Sequence, residues 1–226
     1  MTQAVSVKST IRHHHKLHPA ALRAMHWINA TAIIMMIGSG WKIYNDEVLF
    51  GWLHFPEWIV LGTDAQWGLQ WHFFAMWILM FNGLCYLAYG IITGRFRRKL
   101  FPIRPREVIA DIYGALRFNL AHDDIRHYNA VQKLLYTGII LVIVVQVISG
   151  WVIYKPIQFS EFTALLGGFQ AGRLIHFIGM AAIVAFMIVH VLLALLVPKT
   201  IVAMVAGGPD EPEDDNAIPA NAPARG

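Results

Sequence analysis

Charge is missing where this chain is most apolar. Four runs, Ala24–Ile43, Trp71–Ile92, Leu134–Tyr154 and Leu174–Val197, hold no Asp, Glu, Lys or Arg except Lys42 at the end of the first. Cysteine is almost absent as well, with Cys85 the single copy among 226 residues. An internal disulfide, a Cys-rich zinc site and an iron–sulfur cluster ligated by this chain alone are thereby excluded. Cys85 itself reads as a small buried apolar residue. Met1 to Leu22 is polar and basic and lacks the apolar core of a cleavable signal peptide, so the first run is expected to act as an uncleaved signal anchor. No second globular domain fits between the runs.

What is present is hydrophobic. Residues of the apolar class make up 57% of the chain and the mean hydropathy is +0.50, too apolar for an ordinary soluble domain. Each run has the ~20 residues that cross a bilayer core as a helix. The expected fold is therefore all-α: a four-helix transmembrane bundle over residues 23–200, preceded by a basic arm at 1–22 and followed by a disordered acidic tail at 201–226.

Basic residues set the expected orientation. Lys8, Arg12, Lys16 and Arg23 precede the first run, and Arg95, Arg97, Arg98, Lys99, Arg104, Arg106, Arg117 and Arg126 lie between the second and third. The segment between the first two runs instead carries Asp46, Glu47, Glu57 and Asp64. The positive-inside rule then puts both termini and the middle segment in the cytoplasm. The pI near 9.3 reflects that topology and gives no reason to expect nucleic-acid binding. His13–His15 reads as part of the solvated arm.

Within the middle segment, Val108, Ile109, Ile112, Leu116 and Leu120 recur at helical spacing among charged residues. They describe an amphipathic helix lying at the cytoplasmic interface, although a plain connecting helix fits the same spacing. Trp52, Trp58 and Trp67 suit an interfacial belt at the opposite membrane surface.

Against this background, His26, His72, His176 and His190 stand out as four of the 11 histidines that fall inside or at the edge of uncharged spans. An ionisable side chain in a membrane is costly and marks a functional hypothesis. His176 and His190 are 14 residues apart on one helix. That spacing returns to within ~40° of the same face after a rise of ~21 Å. One helix thus offers a ligand near each leaflet. The second span places His72 at the outer level, and the first places His26 at the inner level. The pairs expected are His72 with His176 and His26 with His190, each able to hold a haem iron between two imidazoles. An unligated, hydrogen-bonded histidine is tolerable near an interface, so the joint pattern carries this reading and His190, the deepest, weighs most. Copper or zinc is poorly served by sites ~20 Å apart with two histidines each. Gly38, Gly40, Gly83, Gly138, Gly150 and Gly179 can make room for a flat macrocycle or simply for close helix packing.

A faint internal repeat accompanies the pattern. Ile37-Gly-Ser-Gly-Trp41-Lys-Ile-Tyr44 resembles Ile148-Ser-Gly-Trp151-Val-Ile-Tyr154, and each precedes a span with a histidine near its start. In this register His26 corresponds to Tyr136 and His190 to Tyr86.

The motifs Arg23-Ala-Met-His26-Trp27, Trp71-His72, Tyr128-Asn-Ala-Val-Gln-Lys133, Arg173-Leu-Ile-His176 and Val189-His190 are similar to those of the bacterial cytochrome b561 superfamily. That superfamily includes the membrane subunits of thiosulfate reductases, formate dehydrogenases and nickel–iron hydrogenases. The resemblance implies two haem b groups on the four histidines and a quinone site on the cytoplasmic side. Carried over, Asn129 and Gln132 become quinone-site candidates, and Lys133 a weaker one, although Asn129 capping the third span and Lys133 snorkelling at the interface fit the same residues equally well; Val131 stands where the formate dehydrogenase branch has glycine. It also implies an inner-membrane protein passing electrons between quinone and a periplasmic partner, a molybdopterin oxidoreductase. Two rivals remain at this stage: a stand-alone superoxide:quinone oxidoreductase and a non-redox membrane anchor.

Overall fold

The structure, a computed structural model, describes residues 15–16, 18–116, 129–208 and 210–211. Among the described residues, four helices are long and apolar enough to cross a membrane: α1 (Ala20–Asp46), α2 (Ala65–Ile92), α5 (Ala130–Tyr154) and α7 (Phe169–Leu196). Between them lie α3 (Arg95–Leu100), α4 (Pro105–Leu116) and α6 (Ser160–Leu165), and α8 (Pro198–Ala206) follows. The chain is a multi-pass membrane protein built as an all-α bundle, with α4 its amphipathic helix.

Each long helix begins before its apolar run, and at α2 and α5 a polar side chain caps the start. Asp64 accepts the Trp67 amide at 3.0 Å and starts α2. Asn129 and Gln132 start α5 as a reciprocal capping box, which satisfies two otherwise orphaned amides. The Asp111 carboxylate of α4 accepts from the Ala130 amide at 2.7 Å, so α4 is fastened to the start of α5. Gly94 adopts φ 65°, in the left-handed region, and this lets α3 turn away from the end of α2.

Two hairpins make up the bundle. Helix α1 packs on α2, and α5 packs on α7. Their crossings are closely alike. A Cβ added at Gly68 would lie 3.1 Å from Lys42 Cγ, and one added at Gly172 would lie 2.8 Å from Val152 Cγ1. The buried Lys42 reaches past its crossing to pair with the exposed Glu57 at 3.2 Å. Between hairpins, contact is made by aromatic side chains. Tyr44 meets Phe177 at 5.2 Å, and Tyr154 meets Phe73 at 4.6 Å between ring centroids. Phe73 and Phe177 directly follow His72 and His176, so the faint repeat corresponds to a pseudo-twofold arrangement in space.

The two ends of the bundle differ. At the hairpin end, the α1–α2 loop folds back over α1: Asn45 donates to Phe55 O and accepts from its amide, and Leu61 N donates to Gly38 O at 2.9 Å. Trp52 and Trp58 remain exposed on this loop. At the opposite, terminal end, α8 lies against the start of α1, where Arg23 donates to Val205 O and Trp27 Nε1 to Met204 O. His15–Lys16 pairs antiparallel with Asp210–Glu211 beside it. The tail boundary expected at 201 therefore falls inside α8; Pro198 at the helix start and Gly207 at its C-cap mark the true element. Leu120 of the amphipathic pattern and Tyr128 of the motif lie outside the described residues.

Candidate functional site

The structure brings the four membrane histidines together in two pairs, one near each end of the bundle. His72 of α2 faces His176 of α7 with ring centroids 6.3 Å apart, and His26 of α1 faces His190 of α7 at 6.2 Å. Two metal–imidazole bonds of about 2.0 Å, plus about 1.1 Å from each nitrogen to its ring centre, would separate two rings by about 6.2 Å across one metal ion. Both pairs have that separation. Among the described residues no group of three or more His, Cys, Asp and Glu side chains converges, so each pair offers two imidazoles with no third side chain of these kinds beside them. This suits a metal whose equatorial plane is filled by a macrocycle, and it does not suit a tetrahedral zinc site.

The hairpin-end pair is held by its own helical scaffold. His176 Nδ1 lies 3.0 Å from Ser149 Oγ and 3.1 Å from the Gln146 carbonyl oxygen. A carbonyl oxygen only accepts, so Nδ1 carries the proton and Nε2 keeps its lone pair for a metal. The Ser149 hydroxyl donates to Gln146 O at 3.1 Å and leaves its own oxygen to accept from the ring. His72 repeats the arrangement. Its Nδ1 lies 3.1 Å from Ser39 Oγ, while Ser39 donates to Met35 O at 2.7 Å. Both serines are fully buried.

Glycine lets the rings approach. A Cβ at Gly40 would stand 3.4 Å from His72 Cε1, and one at Gly150 would stand 3.3 Å from His176 Cε1. Trp41 and Trp151, one residue on, stack on Phe55 and Phe159 of the following loops with interplanar angles of 11° and 15°. Trp41 also donates to Met180 Sδ at 3.3 Å. Of the other glycines singled out in the sequence, Gly38 receives the Leu61 side chain and Gly179 the Gln146 amide, whose buried Oε1 has no hydrogen-bond partner among the described residues. No described atom lies within 4 Å of a Cβ added at Gly83 or Gly138.

The terminal-end pair is held by packing. His190 stacks on Phe186 at 5.6 Å with a 12° interplanar angle, and His26 meets Trp27 edge-on at 5.3 Å. Among the described residues no hydrogen bond reaches either ring. Nearby, Asn82 Nδ2 donates to Met25 O and Asn29 Oδ1, tying α2 to α1 one turn from His26.

Asn129 and Gln132 sit at the start of α5, and both use their side-chain carbonyl oxygens in the capping box. Only their NH2 groups remain to donate to a ligand. Lys133 Nζ reaches Pro102 O at 3.5 Å.

The sequence pattern had not singled out Ser39, Ser149 or the paired aromatics. A signal was available: His72-Phe-Phe-Ala-Met76 and His176-Phe-Ile-Gly-Met180 repeat each other, just as the two Ser-Gly-Trp segments do.

Comparison with known proteins points to membrane cytochrome subunits. The chain is 45% identical over 191 residues, 84% of its length and 96% of the relative's, to a putative protein-methionine-sulfoxide reductase subunit, YedZ1, of Azospira oryzae. It is 20% identical over 205 residues, 79% of its length and 77% of the relative's, to a probable Ni/Fe-hydrogenase B-type cytochrome subunit of Bradyrhizobium diazoefficiens. The sequence model of the prokaryotic cytochrome b561 family matches residues 17–207, so this chain belongs to that family of membrane b-type cytochromes.

Proposed function

We propose that this protein is the electron-transfer subunit of an oxidoreductase complex in the bacterial inner membrane, with two haem b groups, one on His72/His176 and one on His26/His190. The observation that carries this reading is the pair of ring separations, 6.3 and 6.2 Å, near opposite ends of one bundle. A haem bound at each pair supplies one-electron transfer, and six-coordination by two imidazoles favours that over oxygen binding. The chain's part is to fix ligand tautomer and ring orientation and to exclude water from the sites.

The distribution of basic residues supports an orientation with the terminal end in the cytoplasm and the hairpin end in the periplasm. On the cytoplasmic side, the NH2 groups of Asn129 and Gln132 are placed to donate to a quinone carbonyl. On the periplasmic side, the ordered α1–α2 loop offers a surface with exposed Trp52 and Trp58 to a molybdopterin-dependent partner. The relative with 45% identity is named as a putative protein-methionine-sulfoxide reductase subunit, which supports a partner that reduces methionine sulfoxide in proteins; electrons would then flow outward to it from quinol. Each such reduction takes two electrons and two protons and releases water.

The test is haem per chain and the dithionite-minus-oxidised spectrum of the purified protein and its histidine variants. The unaltered protein is expected to carry two haem b. His72→Ala and His176→Ala should each lose the same haem, and His26→Ala and His190→Ala the other. Loss of the same haem in His72→Ala and His190→Ala would refute the pairing. A haem-free protein from cells supplied with haem would leave only the anchor.

A further inference from the structure

The two histidine pairs differ in what lies behind the rings. At the hairpin end, each ring places Nδ1 against a buried serine hydroxyl of the facing helix, and that of His176 also gives its proton to the Gln146 carbonyl. At the terminal end, among the described residues, no hydrogen bond reaches either ring, and Trp27 and Phe186 pack against them. An N–H···O bond pushes electron density toward the metal-binding nitrogen and makes the imidazole a stronger donor. A stronger donor favours the ferric over the ferrous state, because the oxidised iron carries the greater positive charge.

Resting on the two-haem reading above, we infer that Ser39 and Ser149 are positioning residues that lock the ligand tautomer at the hairpin end and hold that haem's reduction potential down. Among the described residues, the terminal-end pair has no such device. The serines are related by the pseudo-twofold axis, as are His72 and His176, so they act on one haem from its two sides and should contribute alike. A structural role alone does not predict this. Both hydroxyls already bond carbonyls of their own helices, at 2.7 and 3.1 Å, as serines in membrane helices commonly do. The contact to a ring nitrogen on another helix is what exceeds that habit.

Redox titration and the ferric electron paramagnetic resonance spectrum of the intact protein, followed in Ser39→Ala and Ser149→Ala, test the inference. The haem missing from His72→Ala identifies which midpoint belongs to the hairpin end. Each serine variant is expected to make that haem easier to reduce by on the order of three- to tenfold in the reduction equilibrium, about 30–60 mV for one electron. The other haem should stay in place. Thr31→Val, which removes a hydroxyl bonded only to Trp27 O on α1, should move neither midpoint. Where alanine loosens the haem, Ser39→Thr and Ser149→Thr keep the hydroxyl and should restore both occupancy and midpoint. Unchanged midpoints, shifts of different haems in the two alanine variants, or threonine variants that fail as alanine does would each overturn the inference. An unaltered protein with fewer than two haems would instead overturn the cofactor reading beneath it.

Discussion

Gly150→Ala should loosen the hairpin-end site without disturbing the rest of the bundle. The new Cβ would lie 3.3 Å from His176 Cε1. Carbon atoms settle at about 3.5–4.0 Å, so the ring must yield by roughly 0.2–0.7 Å. It has little freedom to do so. Its Nδ1 is bonded at 3.0 Å to Ser149 and at 3.1 Å to Gln146 O, and both belong to the helix that carries the new methyl group. Retreat from the methyl stretches these bonds beyond the normal range of about 2.7–3.2 Å. Staying in place forces α5 and α7 apart. Overpacking of this kind costs about 1–3 kcal/mol. That corresponds to roughly 5- to 150-fold weaker retention of a ligand that needs the unshifted ring. Gly40→Ala, with 3.4 Å to His72 Cε1, should act on the same site with a smaller effect. The informative comparison is Gly38→Ala, whose Cβ meets Leu61 Cβ at 3.2 Å in the loop and touches no histidine. It should lower the thermal midpoint while leaving the haem spectrum alone. Haem per chain, the reduced difference spectrum and thermal unfolding in detergent, measured on all three, check the reasoning. Full haem content and an unshifted spectrum in Gly150→Ala would refute it, as would equal haem loss in Gly38→Ala.

Two further predictions concern the helix starts. Asp64 caps α2, and the Trp67 amide it accepts holds its carboxyl below the ordinary carboxylate range. A depressed folded value means that the stabilisation is present above the unfolded value and is lost as pH falls through the folded one. Thermal stability should therefore drop in acid for the unaltered protein and drop less for Asp64→Asn, which keeps an acceptor but no titrating charge; parallel pH profiles would contradict this. At α5, Asn129→Ala removes an N-cap and should cost about 1 kcal/mol of stability, whereas Asn129→Ser retains the cap. If Asn129 also donates to quinone, the serine variant should keep its unfolding midpoint and still lose quinone-linked haem oxidation, by roughly the 0.5–1.5 kcal/mol of one hydrogen bond; unchanged quinone kinetics would leave Asn129 as a cap alone.

The spans and the histidine pairs were legible because both rest on simple physics. A run of ~20 uncharged apolar residues has one common fate, and a 14-residue step along a helix fixes face and depth together. The helix ends were less legible. Asn129 ahead of the third run could be read as a cap, and it is one, whereas nothing in the apolar pattern marked Asp64, which starts α2 by capping. Hydropathy reports what lipid will accept and says little about where backbone amides find partners. Helix α8 was hidden for a related reason, since Ile201 to Ala206 adjoins an acidic stretch and reads as the start of a tail. The serines behind the histidines were hidden by ambiguity: a serine in a membrane helix usually bonds its own backbone, and only the facing ring shows that Ser39 and Ser149 do more.

The repeat, once placed in space, separates the two ends of the protein. His72 and His176 are counterparts, so their site lies on the pseudo-twofold axis and is completed by one residue from each hairpin. His26 and His190 are not counterparts of each other. Their equivalents are Tyr136 and Tyr86, so the pseudo-twofold operation carries the terminal-end pair onto two tyrosines, one on α5 and one on α2. A fully symmetric chain would offer two terminal-end sites; this one keeps histidines at one. The other side is built differently. Phe96 of α3 lies 5.4 Å from the Tyr86 ring and packs over Gly90, where any side chain would collide with it. Helix α3 also packs against α5. The side that carries tyrosines in place of histidines is thus the side that α3 covers. Of the two equivalent positions at the terminal end, the one between α1 and α7 carries the histidines, so under the proposed two-haem reading a hairpin-end haem on the axis would have a single onward partner.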